Sequence, residues 1–123
     1  MPIVFSVVDH DRPYLEAIAS GCVQAEDVRA HLLDECRRRA LSYPELIDAG
    51  AATLDWSSSE ARGIVELLRT LGRESTLGPT AVVVSSDYAY GMLRMLEILC
   101  DDVCTLRPFR SREEAELWLS SLA

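Results

Sequence analysis

Two clusters of hydroxyl side chains, Ser57-Ser58-Ser59 and Ser85-Ser86, stand where this sequence is predicted to turn from strand into helix, the second followed by Asp87. A serine becomes a nucleophile only with a positioned base within hydrogen-bond reach. The two histidines are His10, in a predicted turn, and His31, in the middle of a predicted helix. Neither is expected beside the serines, and no G-x-S-x-G elbow is present. No catalytic residue is therefore assigned, the chain is expected not to be an enzyme, and a hydrolase using Ser85 or Ser86 is the weakest of the readings. Asp9, His10 and Asp11 carry metal-ligand atoms, but three consecutive side chains do not readily converge on one ion, and turn chemistry accounts for them. Cys22, Cys36, Cys100 and Cys104 include no C-x-x-C pair. Zinc ligands usually come in tight pairs, so all four are expected as small buried hydrophobes, with no metal and no cofactor.

Bulk properties narrow the partners. A length of 123 residues suits one domain spanning 1–123, with 49% apolar and 26% charged residues as in ordinary globular proteins. The net charge of −8 disfavours nucleic acid, whose phosphates call for clustered cations. The basic run Arg37-Arg38-Arg39 falls near a predicted helix end, where cations complement the macrodipole. The N-terminus lacks the basic region of a secretory signal, and no apolar run approaches the ~20 residues of a membrane span. A cytoplasmic protein without membrane insertion is expected.

The elements that must position these side chains follow from periodicity and turn chemistry. Ile3 to Val8 and Tyr14 to Ser20 read as a hairpin joined by a turn at residues 9–13, the second strand ending at Gly21. Ala25 to Ala40 reads as a helix with Val28, Leu32 and Cys36 inward and Ala25 and Leu33 widening the stripe, but without a strong N-terminal cap. Glu45 to Ala49 is a short strand. Ser57 with Glu60 forms a capping box for a second helix, whose inner face is Ala61, Ile64, Val65, Leu68 and Leu71 and whose stop is Gly72. Arg62 and Glu66 suit an i,i+4 pair on its wet side. Thr80 to Ser85 does not alternate and reads as a strand buried on both faces. A helix from Asp87, its N-cap, to Cys100 follows, with Asp101-Asp102 as a solvated end. Val103 to Phe109 is an edge strand because Pro108 cannot donate to a ladder. Ser111 and Glu114 cap a last helix that turns Ala115, Trp118, Leu119 and Leu122 inward. Strand–helix alternation predicts an α/β fold: an N-terminal β-hairpin, then βα units, giving a five-stranded mixed sheet flanked by four helices.

Three stretches carry a family likeness: Glu45-Leu-Ile-Asp48, Ser85-Ser-Asp-Tyr-Ala-Tyr-Gly-Met-Leu-Arg94, and above all Phe109-Arg-Ser-Arg-Glu-Glu-Ala-Glu-Leu-Trp-Leu119. With these the chain resembles the SpoIIAA-like branch of the STAS superfamily, the fold of anti-sigma-factor antagonists. The branch is largely uncharacterised, and the likeness is specific only at the C-terminus, so it implies a fold far more than an activity. It also implies a regulatory serine at the start of the second helix, where antagonists carry Asp-Ser-Ser-Gly. Here Ser57, Ser58 and Ser59 are the candidate phosphoacceptors, but Glu60 stands in place of the glycine and competes for the N–H groups a phosphate would take.

Ligands of open α/β sheets favour the crevice at the carboxyl ends of the strands. That rim holds Asp55, Trp56, Ser85, Ser86, Asp87 and Tyr88 beside the serine run, with Trp56 either roofing a pocket or serving as a core contact. The third helix is apolar over an arc of roughly 220°, more than the ≳100° that one sheet can cover. Its outer shoulder, with Met92, Met95, Ile98 and Leu99, is the candidate homodimer face. The expected function is a non-enzymatic regulatory or protein-interaction module that self-associates and can meet an unidentified regulatory protein. The alternative is a carrier of a small apolar ligand or lipid, with a pocket under Trp56 and the Met-rich helix.

Overall fold

The computed structural model describes residues 3–8 and 14–122. The expected turn with Asp9, His10 and Asp11 lies outside them. Nine elements follow in order: β1 (Ile3–Val8), β2 (Tyr14–Val23), α1 (Ala25–Arg37), β3 (Glu45–Leu54), α2 (Ser58–Glu74), β4 (Thr80–Val83), α3 (Asp87–Leu99), β5 (Leu106–Phe109) and α4 (Arg112–Ser121). The strands lie in the order β1-β2-β3-β4-β5, with β1 antiparallel to β2 and every later pair parallel. The mixed five-stranded sheet with four helices is as expected, and Pro108 does lie in an edge strand.

Strand periodicity assigns each sheet residue to a face. Ala17, Ala19, Ala49 and Val82 face α2 and α3, meeting Ile64, Leu68, Leu93 and Leu96, with Val28 and Leu32 of α1 packed alongside. Leu46, Ala81 and Val83 point the other way, onto Ala115, Trp118 and Leu119 of α4. Three helices thus share one face and a single helix covers the other. By the same alternation Glu45, in step with Ile47 and Ala49, points into the three-helix side, whereas Asp48 points to the α4 side, 3.6 Å from Arg112.

Several local expectations change. Both β2 and β3 run past their expected ends as a two-stranded ribbon, Ser20–Val23 against Ala51–Leu54, after a register shift between Ile18 and Ser20. Gly21 has φ +70, which glycine adopts without a Cβ penalty. Helix α1 stops at Arg37, Arg39 turning to φ 57, and its start is secured by Asp27 accepting from the Gln24 N–H at 2.9 Å. Gly72 does not end α2; the helix continues to Glu74 and the glycine lets Val103 approach. Arg62 does not take Glu66, which faces Arg69, and Arg69 in turn binds Asp102 at 2.7 Å. Asp102 is thus ion-paired rather than merely solvated. The N-cap of α3 is Ser86, not Asp87. Residues 100–103 form a turn, so β5 begins only at Leu106. Of the cysteines, Cys100 is buried, Cys36 and Cys104 are half-buried and Cys22 is exposed; the last overturns the expectation for it.

Candidate functional site

Residues four apart on a helix share a face, so His31 and Glu35 point the same way from α1. They point inward. The buried residues of α1 are His31 and Glu35; Val28 and Leu32 pack half-buried beside them as expected, Cys36 is half-buried, and Leu33 is exposed. Glu45 meets them from the first position of β3. Its N–H donates to Pro79 O at 2.9 Å, and Leu15 N donates to Pro44 O at 2.8 Å, fixing this strand start. His31 Nε2 stands 2.9 Å from Glu45 Oε2 and 3.4 Å from Glu35 Oε2. The three residues are only 5%, 2% and 4% exposed. Glu35 Oε2 is buried without a hydrogen-bond partner.

These groups form the polar end of an internal cavity of about 110 Å³. Its walls are apolar, among them Val28, Leu32, Ile47, Ile64, Leu93 and Trp56. The small side chains Ala19, Ala40 and Ala49 and the glycine at 78 leave the space that larger residues would fill. Gly78 is required here: a Cβ would come within 2.3 Å of Tyr43 O and 2.6 Å of Ser42 O.

Electrostatics at the polar end are strongly perturbed. Burial works against the His31 cation, but hydrogen bonds and attraction from Glu35 and Glu45 outweigh it and hold the imidazole at about 10. Burial pushes the Glu45 carboxyl up to about 8; His31 pulls it down and Glu35 adds to the rise. Chemically, an imidazole and two carboxylates in this arrangement can ligate a divalent ion, exchange a proton, or anchor the polar end of a ligand.

The carboxyl-end rim is different. Ser57 Oγ accepts from Glu60 N at 3.0 Å and Glu60 Oε1 accepts from Ser57 N at 3.0 Å, so both halves of the expected capping box are made. Ser58 and Ser59 are exposed in the first turn of α2. Ser85 Oγ donates to Gly50 O, and Ser86 Oγ accepts from Ala89 N at 3.1 Å. Asp55 is exposed, and Asp87 pairs with Arg110 at 2.8 Å. Tyr88 donates its hydroxyl to Trp56 O at 2.8 Å. The expected rim residues are thus brought together, but the hydroxyls of Ser85, Ser86 and Tyr88 serve the backbone and are not among those lining the cavity described above. Trp56 does not roof a surface pocket: its buried indole donates to Val23 O at 2.8 Å and forms an inner wall of the cavity. On α3, Met92 and Met95 are half-buried against the core, while Ile98 and Leu99 are 64% and 38% exposed.

Sequence reasoning passed over His31, Glu35 and Glu45. The available signal was His-x-x-x-Glu placed inside an otherwise apolar helical stripe, which turns both polar groups toward the core. Nothing local marks Glu45 as their partner; that contact depends on β3 lying beneath α1.

Comparison with known proteins bears on the fold. No family model matches the chain, and no curated protein matches it in sequence. Among solved structures it is similar to an uncharacterised protein of the DUF3478 family from Shewanella loihica PV-4, described as having a SpoIIAA-like fold. The likeness has a TM-score of 0.63 at 20% identity and covers 95% of this chain and 93% of that one. The sheet order, the four helices and this likeness together show that the chain has the SpoIIAA-like α/β fold.

Proposed function

We propose that the protein is a non-enzymatic binding module that encloses a small apolar molecule between its sheet and helices α1, α2 and α3. The observation that carries this reading is the cavity, walled largely by aliphatic side chains and Trp56, with its ionisable cluster of His31, Glu35 and Glu45 gathered at one end. Ligand sites share this make-up of apolar walls and a few convergent polar groups. A dry apolar cavity of ~150 Å³ takes up benzene with its six heavy atoms, so a space of about 110 Å³ suits an occupant of about four to six. The space lies beside Trp56, as the ligand-carrier reading expected, but Leu93 and Leu96 of α3 line it rather than the methionines.

Titration with benzene and with 1-butanol, followed by methyl NMR, tests this reading. Saturable shifts at Ile47, Ile64 and Leu93 are expected, and they should vanish in Ala49→Leu, which fills the space. Unchanged methyl spectra with both probes would remove the proposal.

A second reading, self-association through α3, is favoured by the exposure of Ile98 and Leu99 next to half-buried Met92 and Met95. Each large apolar side chain left in water forgoes about 1.5–3 kcal/mol of burial. Sedimentation at micromolar concentration should show a dimer that Ile98→Asp dissociates; a monomer at all concentrations refutes it. A regulatory partner acting through phosphorylation has exposed Ser58 and Ser59 in its favour. Intact mass of the protein from its own cell would reveal the added phosphate, and an unmodified mass in every growth condition excludes the switch.

A further inference from the structure

The buried trio at the amino end of the strands raises a question of cost. Taking two carboxylates and an imidazole out of water costs several kcal/mol per ion, and well-packed apolar residues of similar volume are often as stable or more so. Hydrogen bonding within the trio does not complete the account, because Glu35 Oε2, buried beside the cavity, makes only a 3.4 Å ion pair with His31 and no hydrogen bond.

The spacing answers to a metal. Two ligands at the 2.0–2.1 Å bond lengths of zinc and at a tetrahedral angle lie roughly 3.3 Å apart. His31 Nε2 lies 2.9 Å from Glu45 Oε2 and 3.4 Å from Glu35 Oε2, and one ligand atom from each residue falls within 4.8 Å of the others. Imidazole with carboxylate suits zinc and its neighbours in the first transition row. Two carboxylates also match the charge of a dication, so the occupied site would be neutral in its apolar surroundings. The ligands sit on rigid backbone, two on one helix face and one on an anchored strand start, so little rearrangement separates this geometry from a coordinating one. Three protein ligands leave a fourth position open, as in catalytic rather than structural zinc sites. Here that position faces the cavity.

We infer that His31, Glu35 and Glu45 form a binding site for one divalent transition-metal ion of the zinc class, with its remaining coordination position turned into the cavity. The site does not depend on an organic ligand occupying that space.

The test uses the full chain, stripped with a chelator and dialysed against Zn(II), with Mg(II) as control and metal content measured by mass spectrometry. One equivalent of zinc and no retained magnesium are expected. Loss of an outer-shell partner alone costs about 10–100-fold in metal affinity, so Glu35→Gln should weaken zinc by at least about tenfold. Because Cys100 and Cys104 lie with their sulfurs 3.5 Å apart, Co(II) serves as a spectroscopic probe of the donor set. The unmodified protein should give weak visible bands without thiolate charge-transfer absorption, and the same bands after thiol alkylation. This readout holds even if Glu35→Gln fails to fold. Substoichiometric zinc, a thiolate spectrum, or undiminished binding in a folded Glu35→Gln would overturn the assignment.

Discussion

The two ends of the parallel strands are built on opposite plans. At the carboxyl end polar groups are numerous, exposed and occupied: Ser57 and Ser86 cap helices, Ser85 and Tyr88 bind backbone carbonyls, and Asp87 pairs with Arg110. At the amino end three groups, His31, Glu35 and Glu45, are buried together, and one of their oxygens makes no hydrogen bond. An abundance of polar side chains marks the place where helices start, because each start leaves four N–H groups to satisfy. Scarce buried polar groups with perturbed protonation are the stronger sign of a binding site.

The largest effect should come from His31→Ala, which strands two carboxylates in the interior. Chemical denaturation should show a loss of about 3–5 kcal/mol, the usual consequence of removing one partner of a buried ion pair. If the trio is instead held for binding, the apolar combination His31→Leu, Glu35→Met and Glu45→Leu should come out between neutral and about 1–4 kcal/mol more stable than the natural chain. A strongly destabilised triple variant would mean that the cluster holds the fold together.

Titration separates the two ends by another route. Both resolved shifts in the trio are upward, so the native state binds protons more tightly than the unfolded chain. The Glu45 contribution is complete below the unfolded value near 4.5 and is lost as pH rises through about 8. That of His31 is complete below 6.5 and is lost through about 10. Metal-free protein should therefore lose stability between pH 4.5 and 10, a slope that the apolar triple variant should largely abolish.

The rim should respond far more weakly. Ser57→Ala removes the acceptor for Glu60 N and should cost about 1 kcal/mol, while Ser58→Ala, exposed and outside the capping box, should stay within about 0.5 kcal/mol. A multi-kcal/mol loss at Ser58 would break the contrast between the two ends.

How much of this was legible in the sequence depended on whether the signal was local. The N-caps at Ser57 and Ser111 involve residues three apart, and both helix starts were placed correctly, although the reciprocal half of the capping box is made only at Ser57. Pro108 announced an edge strand through its own missing donor, and the lack of alternation from Thr80 to Ser85 marked a strand that is buried from Ala81 to Val84, although it ends at Val83 and Ser85 is exposed. The ribbon beyond Ala49 was missed because Gly50, Ala51 and Ala52 carry no strand preference of their own; pairing with Ser20 to Val23 holds them extended. Val28 and Leu32 of α1 were placed inward correctly, but its two most buried residues were missed because only apolar side chains were counted as markers. Its centre is polar, and only the arrival of Glu45 from another element makes that burial tolerable.

The central claim is that the chemistry of this molecule belongs to the enclosed amino end of its sheet. Crystals equilibrated with Zn(II) and measured at the zinc absorption edge test it most directly. The account predicts one anomalous peak about 2 Å from His31 Nε2 and from an oxygen each of Glu35 and Glu45. A peak at Cys100 and Cys104, at the rim serines, or nowhere in the chain would contradict it.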